Sequence, residues 1–121
     1  MKYDDNNIFA KILRGEIPCN KIYEDDYVLS FYDINPQKKI HALVIPKGKY
    51  IDLDDFNSNA SNDEIVGLMK GITTVSKKLG ISSIDGKGYR ALANISEDGG
   101  QEVPHLHFHL FGGERVGKMV E

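Results

Sequence analysis

Three of the four histidines of the chain stand at alternate positions in the segment HLHFHLFGG, which runs from residue 105 to residue 113. Side chains alternate between two faces along a β-strand, so this spacing predicts three imidazoles on one face and the apolar side chains between them on the other. Histidine is not a usual filler of a strand face, where threonine, valine or charged residues serve better. The pattern therefore indicates a functional group made of His105, His107 and His109.

Two kinds of chemistry fit imidazoles in this arrangement. Neutral imidazoles two positions apart can share a Zn²⁺ ion, with His41 as a further ligand, but the strand holds no Cys, Asp or Glu to supply charge. The second possibility is nucleophilic catalysis, because imidazole is largely neutral at pH 7 and can attack phosphorus without prior deprotonation. The lack of charged ligands in the strand favours the nucleophile over the metal site.

A histidine nucleophile needs supporting groups. Asn94, Gln101 and the backbone N–H groups around Gly99–Gly100 are candidate donors to phosphate oxygens. His109, next on the same face, is placed to stabilise charge or move a proton. The second ring nitrogen of the nucleophile needs a partner that orients the ring, and either a backbone carbonyl or His41 can provide it.

Five β-rich segments predict the sheet that carries these groups. The segment KIYEDDYVLSFYD, residues 21–33, predicts two short strands with a tight turn near Asp25 and Asp26. A third strand is predicted over 40–45, where Pro46 ends the apolar run. The fourth and fifth are predicted over 89–95 and 105–111.

Two helices are predicted. In the first, Asn6 or Asn7 caps apolar residues at helical spacing from residue 8 to residue 13, and Gly15 ends it. In the second, Ser61 or Asn62 is the cap, an apolar stripe runs from residue 65 to residue 79, and Gly80 is the stop. The polar, acidic stretch over 47–64 is expected to be a solvated loop, because it lacks the glycine and closing glutamate of an EF-hand.

Two glycines four residues apart lie inside the long helix. Gly67 and Gly71 lower helix propensity, so they indicate a close approach by another element, with a helix of a second subunit as one candidate. Antiparallel-type strands together with one long helix and one short N-terminal helix predict an α+β fold, a five-stranded antiparallel sheet with the long helix on one face.

Composition limits the functional classes. The 121 residues fit one domain spanning 1–121, and the net charge of −3 argues against a nucleic-acid partner. The single cysteine excludes an intramolecular disulfide and a Cys-based zinc cluster. The acidic, polar start MKYDDNNIFA does not match a signal peptide, and no apolar run approaches the roughly 18 residues of a membrane span. We expect a cytoplasmic protein with no membrane partner.

Three blocks, in order along the chain, resemble the histidine triad (HIT) superfamily and its nucleotide-binding (Hint) branch. NIFAKILRGEIPCNKIYEDD is similar to the opening helix and first strand of that branch, and SFYDINPQKKIHALVIPK to its stretch around the first histidine. GGQEVPHLHFHLFGG is similar to its catalytic end, which carries the His-x-His-x-His-x-x motif. A lone HxHxH would be weak, whereas three ordered blocks are specific.

The resemblance implies a HIT-like fold and a purine nucleoside phosphoramidate hydrolase that works through a nucleotidyl-histidine intermediate. It implies a homodimer with no cofactor and no catalytic metal. Carried onto matching positions, it makes His107 the nucleophile and lets His109 hydrogen-bond the phosphate and help the leaving amine depart. It gives His41 and His105 the role of supporting and orienting the site.

The resemblance also implies a binding site for the nucleotide. Asn94 and Gln101 are expected to bind the phosphate, and Asp33 to accept hydrogen bonds from the ribose hydroxyls. The expected slot for the purine base is apolar. Its residues are Phe9, Ile12, Phe31 and Ile34.

Some features depart from the family or leave its activity open. Glu102 stands where some members have a phosphate-binding serine. Its side chain is expected to point away from the phosphate, so that only its backbone N–H contributes. Pro104 replaces an aromatic residue of some members, and the short ending ERVGKMVE leaves the leaving-group preference undecided. The alternatives are a dinucleotide polyphosphate hydrolase or nucleotidyl transferase of the same superfamily, and a regulatory purine-nucleotide-binding protein with incidental hydrolysis.

Overall fold

The chain folds around one antiparallel sheet, as seen in a computed structural model that describes residues 2–119. The strand order is β1-β2-β3-β5-β4, so β3 and β5 are neighbours inside the sheet. Their register pairs Leu43 with His109 and His41 with Phe111, which brings the first histidine next to the last. The predicted α+β architecture is confirmed. The strands are β1 Lys21–Glu24, β2 Val28–Tyr32, β3 Ile40–Pro46, β4 Arg90–Leu92 and β5 Phe108–Gly112.

The two predicted helices are present with the predicted caps. Helix α1 spans Ile8–Leu13, and the Asn7 side chain accepts from the backbone N–H of Ala10. The long helix, α3, spans Asn62–Lys78, and Ser61 and Glu64 bond each other's backbone N–H groups in a capping box. These local side-chain interactions begin each helix independently of the rest of the fold, so sequence alone located both starts.

A further helix lies where a loop was expected. Helix α2 spans Leu53–Asn59, and the Asp52 side chain caps it by accepting from the N–H of Asp55. Phe56 is only 1% exposed and anchors this helix in the core. The loop prediction was wrong because a two-turn helix with a single buried residue has too few apolar positions to show a helical period.

Strands β4 and β5 are shorter than predicted. The fifth strand was expected from residue 105 but begins at Phe108, since the backbone N–H of Leu106 donates to the carbonyl of Tyr50 rather than to β3. Pro46 ends the neighbouring strand and has no N–H with which to extend the ladder. The ladder between β4 and β5 ends at the pair Leu92–His109, so β4 spans only Arg90–Leu92.

Apolar side chains of β3 alternate between two clusters on opposite faces of the sheet. Ala42 and Val44 join the cluster under α3, whereas Leu43 and Ile45 join the one under α1. The apolar residues between the three histidines pack on the α3 side, as predicted for the core face. Because Leu43 pairs with His109, that histidine lies on the α1 side.

The two glycines of α3 are points of close approach, as predicted, but their neighbours belong to the same chain. A Cβ atom at Gly67 would lie 2.5 Å from Cγ of Tyr27, and one at Gly71 would lie 3.0 Å from a methyl carbon of Val28. The segment that begins β2 therefore packs directly on the backbone of α3. The second-subunit helix considered as a candidate does not explain this pair.

Gly67→Ala is expected to destabilise the protein. Alanine has the better helix propensity by about 1 kcal/mol, but overpacking against the Tyr27 ring costs about 1–3 kcal/mol. We expect the free energy of unfolding in urea at pH 7 to fall by about 1–2 kcal/mol. Thr73→Ala, on the exposed side of α3, is the matched control and should change it by less than about 0.5 kcal/mol. A more stable Gly67→Ala protein would show that the contact is easily relieved.

Candidate active site

A cavity of about 330 Å³ lies on the α1 side of the sheet, where β3 and β5 run together. Three of the four histidines, His41, His107 and His109, contribute to its wall, together with Asp33 from the end of β2 and Asn94 from the end of β4. The topology thus collects polar side chains from four segments of the chain. Its remaining lining residues are Phe9, Asn35, Gln37, Leu43, Gly100, Glu102 and Val103.

His107 is held in one tautomer. Its Nδ1 lies 2.7 Å from the backbone carbonyl oxygen of His105, and a carbonyl can only accept, so Nδ1 carries the hydrogen. Nε2 then holds the lone pair, and among residues 2–119 no group hydrogen-bonds to it. Of the two predicted orienting partners, the structure shows the backbone carbonyl. The side chain is 6% exposed, and its free nitrogen belongs to the cavity wall.

A second hydrogen-bonded chain fixes His41 and His109. The backbone N–H of Gln37 donates to Nδ1 of His41, so a neutral His41 carries its hydrogen on Nε2. That Nε2 lies 2.9 Å from Nδ1 of His109 and donates to it. A neutral His109 therefore carries its hydrogen on Nε2, where it can donate to a ligand in the cavity. The rings of His107 and His109 have centroids 5.1 Å apart.

Burial keeps these imidazoles neutral at pH 7. It lowers the pKa of His109 to about 4, with further lowering by His107 and His41 and an opposing effect of Asp33. Burial also lowers the pKa of His107, against its hydrogen bond to His105 and the charges of Asp33 and Glu102. The pKa of His41 falls for the same reason, against the charge of Asp33. An unprotonated His107 is the form that a nucleophile requires.

His105 does not line the cavity, so the predicted common face of three histidines is only partly correct. Its side chain is 0% exposed, and its ring nitrogens contact the hydroxyl of Tyr3 and the carbonyl oxygen of Pro46. The prediction assumed regular alternation from residue 105, whereas the strand begins only at Phe108. His105 contributes to the site through its backbone carbonyl.

The predicted phosphate donors divide into two groups. Asn94 lines the cavity. The Gln101 amide is instead 2.6 Å from the carbonyl oxygen of Ile51 and 3.0 Å from that of Val103, so its side chain ties loops together. The backbone N–H of Gly100 donates to Glu97. Gln101 and Gly100 therefore use these N–H groups in hydrogen bonds within the protein.

An apolar slot of about 190 Å³ adjoins the polar cavity. All four residues predicted to hold the base line it. Phe9, Asp33, Leu43 and Val103 line both spaces, so an elongated ligand can extend from one into the other. The predicted slot residues are Phe9, Ile12, Phe31 and Ile34.

Asp33 stands at the junction of the two spaces. One carboxylate oxygen accepts from the backbone N–H of Asn35, and the other lies 3.5 Å from Nε2 of His41. Asp33, His41 and His109 each place a ligand atom within 4.8 Å of the others, so this is where a divalent cation would bind. The sequence argument against metal looked for a carboxylate within the strand, whereas folding brings one from the end of β2. Elemental analysis of the purified protein tests this possibility.

Glu102 lines the cavity, although its side chain was expected to point away. Its negative charge acts to raise the pKa of His107 and so partly offsets the lowering by burial. A bound phosphate would therefore meet a carboxylate at this wall. The expectation treated the residue after Gln101 as a backbone donor only.

Several site residues gave no signal in the sequence. Leu43 and Val103 look like ordinary apolar residues, and Gln37 contributes through its backbone. Tyr3 lies more than a hundred positions before His105, which it contacts. Only the folded chain identifies Val103, Gln37 and Tyr3 as site residues. Leu43 is different, because the pairing register of β3 with β5 places it beside His109.

Within residues 2–119, every helix is too short or too polar to cross a membrane.

Comparison with known proteins places this fold and site among relatives. The HIT domain family model matches residues 14–116. An uncharacterised HIT-like protein of Azospirillum brasilense is 52% identical over 98% of this chain and 94% of its own length. The purine nucleoside phosphoramidase of Escherichia coli K12 is 40% identical over 96% of this chain and 94% of its own length.

Solved structures agree with the sequence comparison. A HIT family hydrolase from Clostridium thermocellum superposes with a TM-score of 0.85 at 37% identity, over 97% of this chain and 99% of that one. A histidine triad protein from Clostridium difficile superposes with a TM-score of 0.82 at 38% identity, over 99% and 100%. These matches confirm the HIT-like fold and the family resemblance. The chain belongs to the HIT family.

Proposed function

We propose that the protein is a purine nucleoside phosphoramidate hydrolase that forms a nucleotidyl-histidine intermediate on His107. The observation that carries the proposal is the pairing of two oriented imidazoles at one cavity. His107 presents a lone pair on Nε2, and His109 presents an N–H next to it. A relative that is 40% identical, in Escherichia coli, bears the name of this activity.

In the first step, the Nε2 lone pair of His107 attacks phosphorus. An Nε2–P bond forms, the P–N bond to the amine breaks, and the amine takes up a proton as it leaves. The Nδ1–H of His107 keeps donating to the His105 carbonyl, which stabilises the positive charge that develops on the ring. His109 is placed to hydrogen-bond the phosphate, the bound anion raises the pKa of its ring, and the resulting imidazolium gives its proton to the departing nitrogen and becomes neutral.

In the second step, water attacks phosphorus and the Nε2–P bond breaks. The products are the nucleoside monophosphate and the free His107 imidazole, so atoms and charge balance over the cycle. The water must lose a proton, and the neutral His109 ring left after the first step is placed to take it, which restores the imidazolium. Both steps use the same pair of rings in opposite roles.

The two adjoining spaces suit the two halves of a nucleotide. The apolar slot, walled by Phe9, Phe31 and Ile12, offers flat hydrophobic surface for a purine. Asp33 at the junction offers a carboxylate oxygen to ribose hydroxyls, and Asn94 faces the phosphate end. Gln101 has no part in phosphate binding in this proposal, since its amide is already engaged.

The proposal is tested by turnover and by capture of the intermediate. Purified protein is assayed with an adenosine phosphoramidate and, in parallel, with a diadenosine polyphosphate. Faster turnover of the phosphoramidate supports the proposal, and faster turnover of the polyphosphate favours the dinucleotide hydrolase. Mass spectrometry should then find a nucleotidyl adduct on His107, and an adduct elsewhere would contradict the mechanism.

Glu102→Gln is expected to tighten substrate binding. Removing a negative charge from the cavity wall reduces repulsion of the anionic phosphate, so KM should fall by about 3- to 10-fold at low salt. The difference from wild type should shrink at high ionic strength, because salt screens exposed charges. Glu97→Gln is the matched control, since this exposed glutamate of the same loop does not line the cavity. Equal KM values at low salt would show that Glu102 does not act on the phosphate.

The homodimer implied by the family resemblance stays a prediction. Helix α3 exposes Val66 and Met69, at 49% and 48%, and β4 lies at the edge of the sheet. An apolar helix face and an open strand edge are both surfaces that a second copy can cover.

A further inference from the structure

The N-terminal segment reaches the back of the histidine cluster. The hydroxyl of Tyr3 lies 2.5 Å from Nδ1 of His105, and the two rings meet edge to face with centroids 5.7 Å apart. His105 is 0% exposed, so this contact is inside the protein. The segment is itself held in place, because the Asn7 side chain donates to the Asp4 carbonyl and Lys49 pairs with Asp5.

The direction of each hydrogen bond at His105 follows from its partners. Nε2 lies 2.9 Å from the carbonyl oxygen of Pro46, which can only accept, so Nε2 carries the hydrogen. Nδ1 of the neutral ring is then a lone pair, and the Tyr3 hydroxyl donates to it. Burial lowers the pKa of His105 to about 4, which agrees with a neutral ring. Both nitrogens are satisfied, and the ring is held between two separate segments.

The backbone of His105 connects this arrangement to the nucleophile. Its carbonyl oxygen accepts the Nδ1–H of His107, so the direction of that carbonyl sets which nitrogen of His107 stays free. Phe9 contacts both imidazoles edge to face, with centroids 6.4 Å from His105 and 5.0 Å from His107. A shift of the His105 residue would therefore displace the His107 ring through two contacts, the hydrogen bond to the His105 carbonyl and the packing on Phe9.

We propose that Tyr3 is a positioning residue for His107. Its hydroxyl holds the second nitrogen of the His105 ring, whose first nitrogen is held by Pro46, and so fixes the orientation of the ring; this holds the His105 carbonyl toward Nδ1 of His107 and leaves Nε2 free toward phosphorus. The kinetic consequence rests on the proposed function of His107 as nucleophile, whereas the structural consequence does not.

Tyr3→Phe is the test, since it removes one oxygen atom and keeps the ring. The buried Nδ1 of His105 loses its donor, so the ring is held on one side only, by the Pro46 carbonyl, and its orientation is less restricted. We expect kcat for an adenosine phosphoramidate to fall by about 10-fold, because misplacement of a reacting group slows chemistry, with KM within about 2-fold of wild type. Tyr27→Phe is the matched control, because Tyr27 packs on Gly67 of α3, away from the histidines. It should leave both constants unchanged.

Nitrogen-15 NMR of the histidine rings reports the tautomer of His107. That tautomer would not change if Tyr3 only stabilised the fold. In the wild type, His107 should show hydrogen on Nδ1 and His105 on Nε2. In Tyr3→Phe, the His105 signals should shift, and the His107 ring should become a mixture of tautomers. The same spectrum shows whether the variant is folded.

The outcomes separate the two proposals. Unchanged kcat in Tyr3→Phe, or a lower kcat with unchanged His107 signals, overturns the positioning role. Altered His107 tautomers in Tyr3→Phe, together with a wild-type protein that hydrolyses no phosphoramidate, would support the positioning role and refute the proposed function.

Discussion

His107→Ala is expected to abolish phosphoramidate hydrolysis while nucleotide binding survives. Within the described residues 2–119, His107 alone offers a free Nε2 lone pair beside the His109 ring, so the variant can form no covalent intermediate there. Removal of a catalytic nucleophile in other enzymes costs orders of magnitude, and we expect kcat to fall at least about 10⁴-fold. Steady-state hydrolysis measures the loss, and calorimetric titration with the nucleoside monophosphate measures the retained affinity.

The matched control for this experiment is His107→Asn. The asparagine amide can take the place of Nδ1–H and donate to the His105 carbonyl, but it has no nitrogen lone pair at the position of Nε2. It should be as inactive as the alanine variant and closer to wild type in thermal stability. Turnover near the wild-type rate in either variant would contradict the assignment of His107 as nucleophile and, with it, the covalent mechanism.

Sequence predicted the parts of this site that depend on local rules. Side-chain alternation and apolar partners placed His107 and His109 on one face of a segment whose other face is in the core; in the structure both line the cavity, His109 within β5 and His107 directly before it. Capping residues located the starts of α1 and α3. The apolar slot came from the family resemblance, and all its predicted residues line one cavity.

The features of the site that the sequence did not show depend on contacts between distant segments. Gln101 could be recognised as a donor, but its partners, Ile51 and Val103, are set by how two loops meet. Likewise, the carboxylate beside the histidines comes from Asp33, eight positions before His41 and across a turn. A sequence pattern shows which groups a residue offers, whereas tertiary packing decides whether those groups remain available to a ligand.

Hydrogen bonds within the protein also distinguish the three histidines of the motif from one another. His105 has both ring nitrogens bonded within the protein, so it can only support. His107 and His109 are both bonded through Nδ1, but His107 donates there and His109 accepts, so Nε2 of His107 retains a lone pair and Nε2 of His109 retains a hydrogen. Three identical side chains thus acquire three roles from their hydrogen-bond partners.

His109→Ala is expected to slow hydrolysis in a way that depends on the leaving group. The Nε2–H of His109 is fixed by the chain from the Gln37 N–H through His41, and a bound phosphate raises the pKa of a neighbouring imidazole. An amine must be protonated to leave, so loss of this donor should lower kcat/KM for an adenosine phosphoramidate by about 10²- to 10³-fold.

The same variant should be almost unaffected with a substrate that needs no proton at its leaving group. A 4-nitrophenyl ester of adenosine monophosphate departs as a stable anion, so His109→Ala should cost less than about 10-fold there. His109→Gln, whose amide can still hydrogen-bond a phosphate oxygen but cannot transfer a proton, separates the two tasks of this residue. It should match the alanine variant on the phosphoramidate and approach wild type on the ester. Equal losses on both substrates would mean that His109 only holds the phosphate, and the proton would then have to come from solvent.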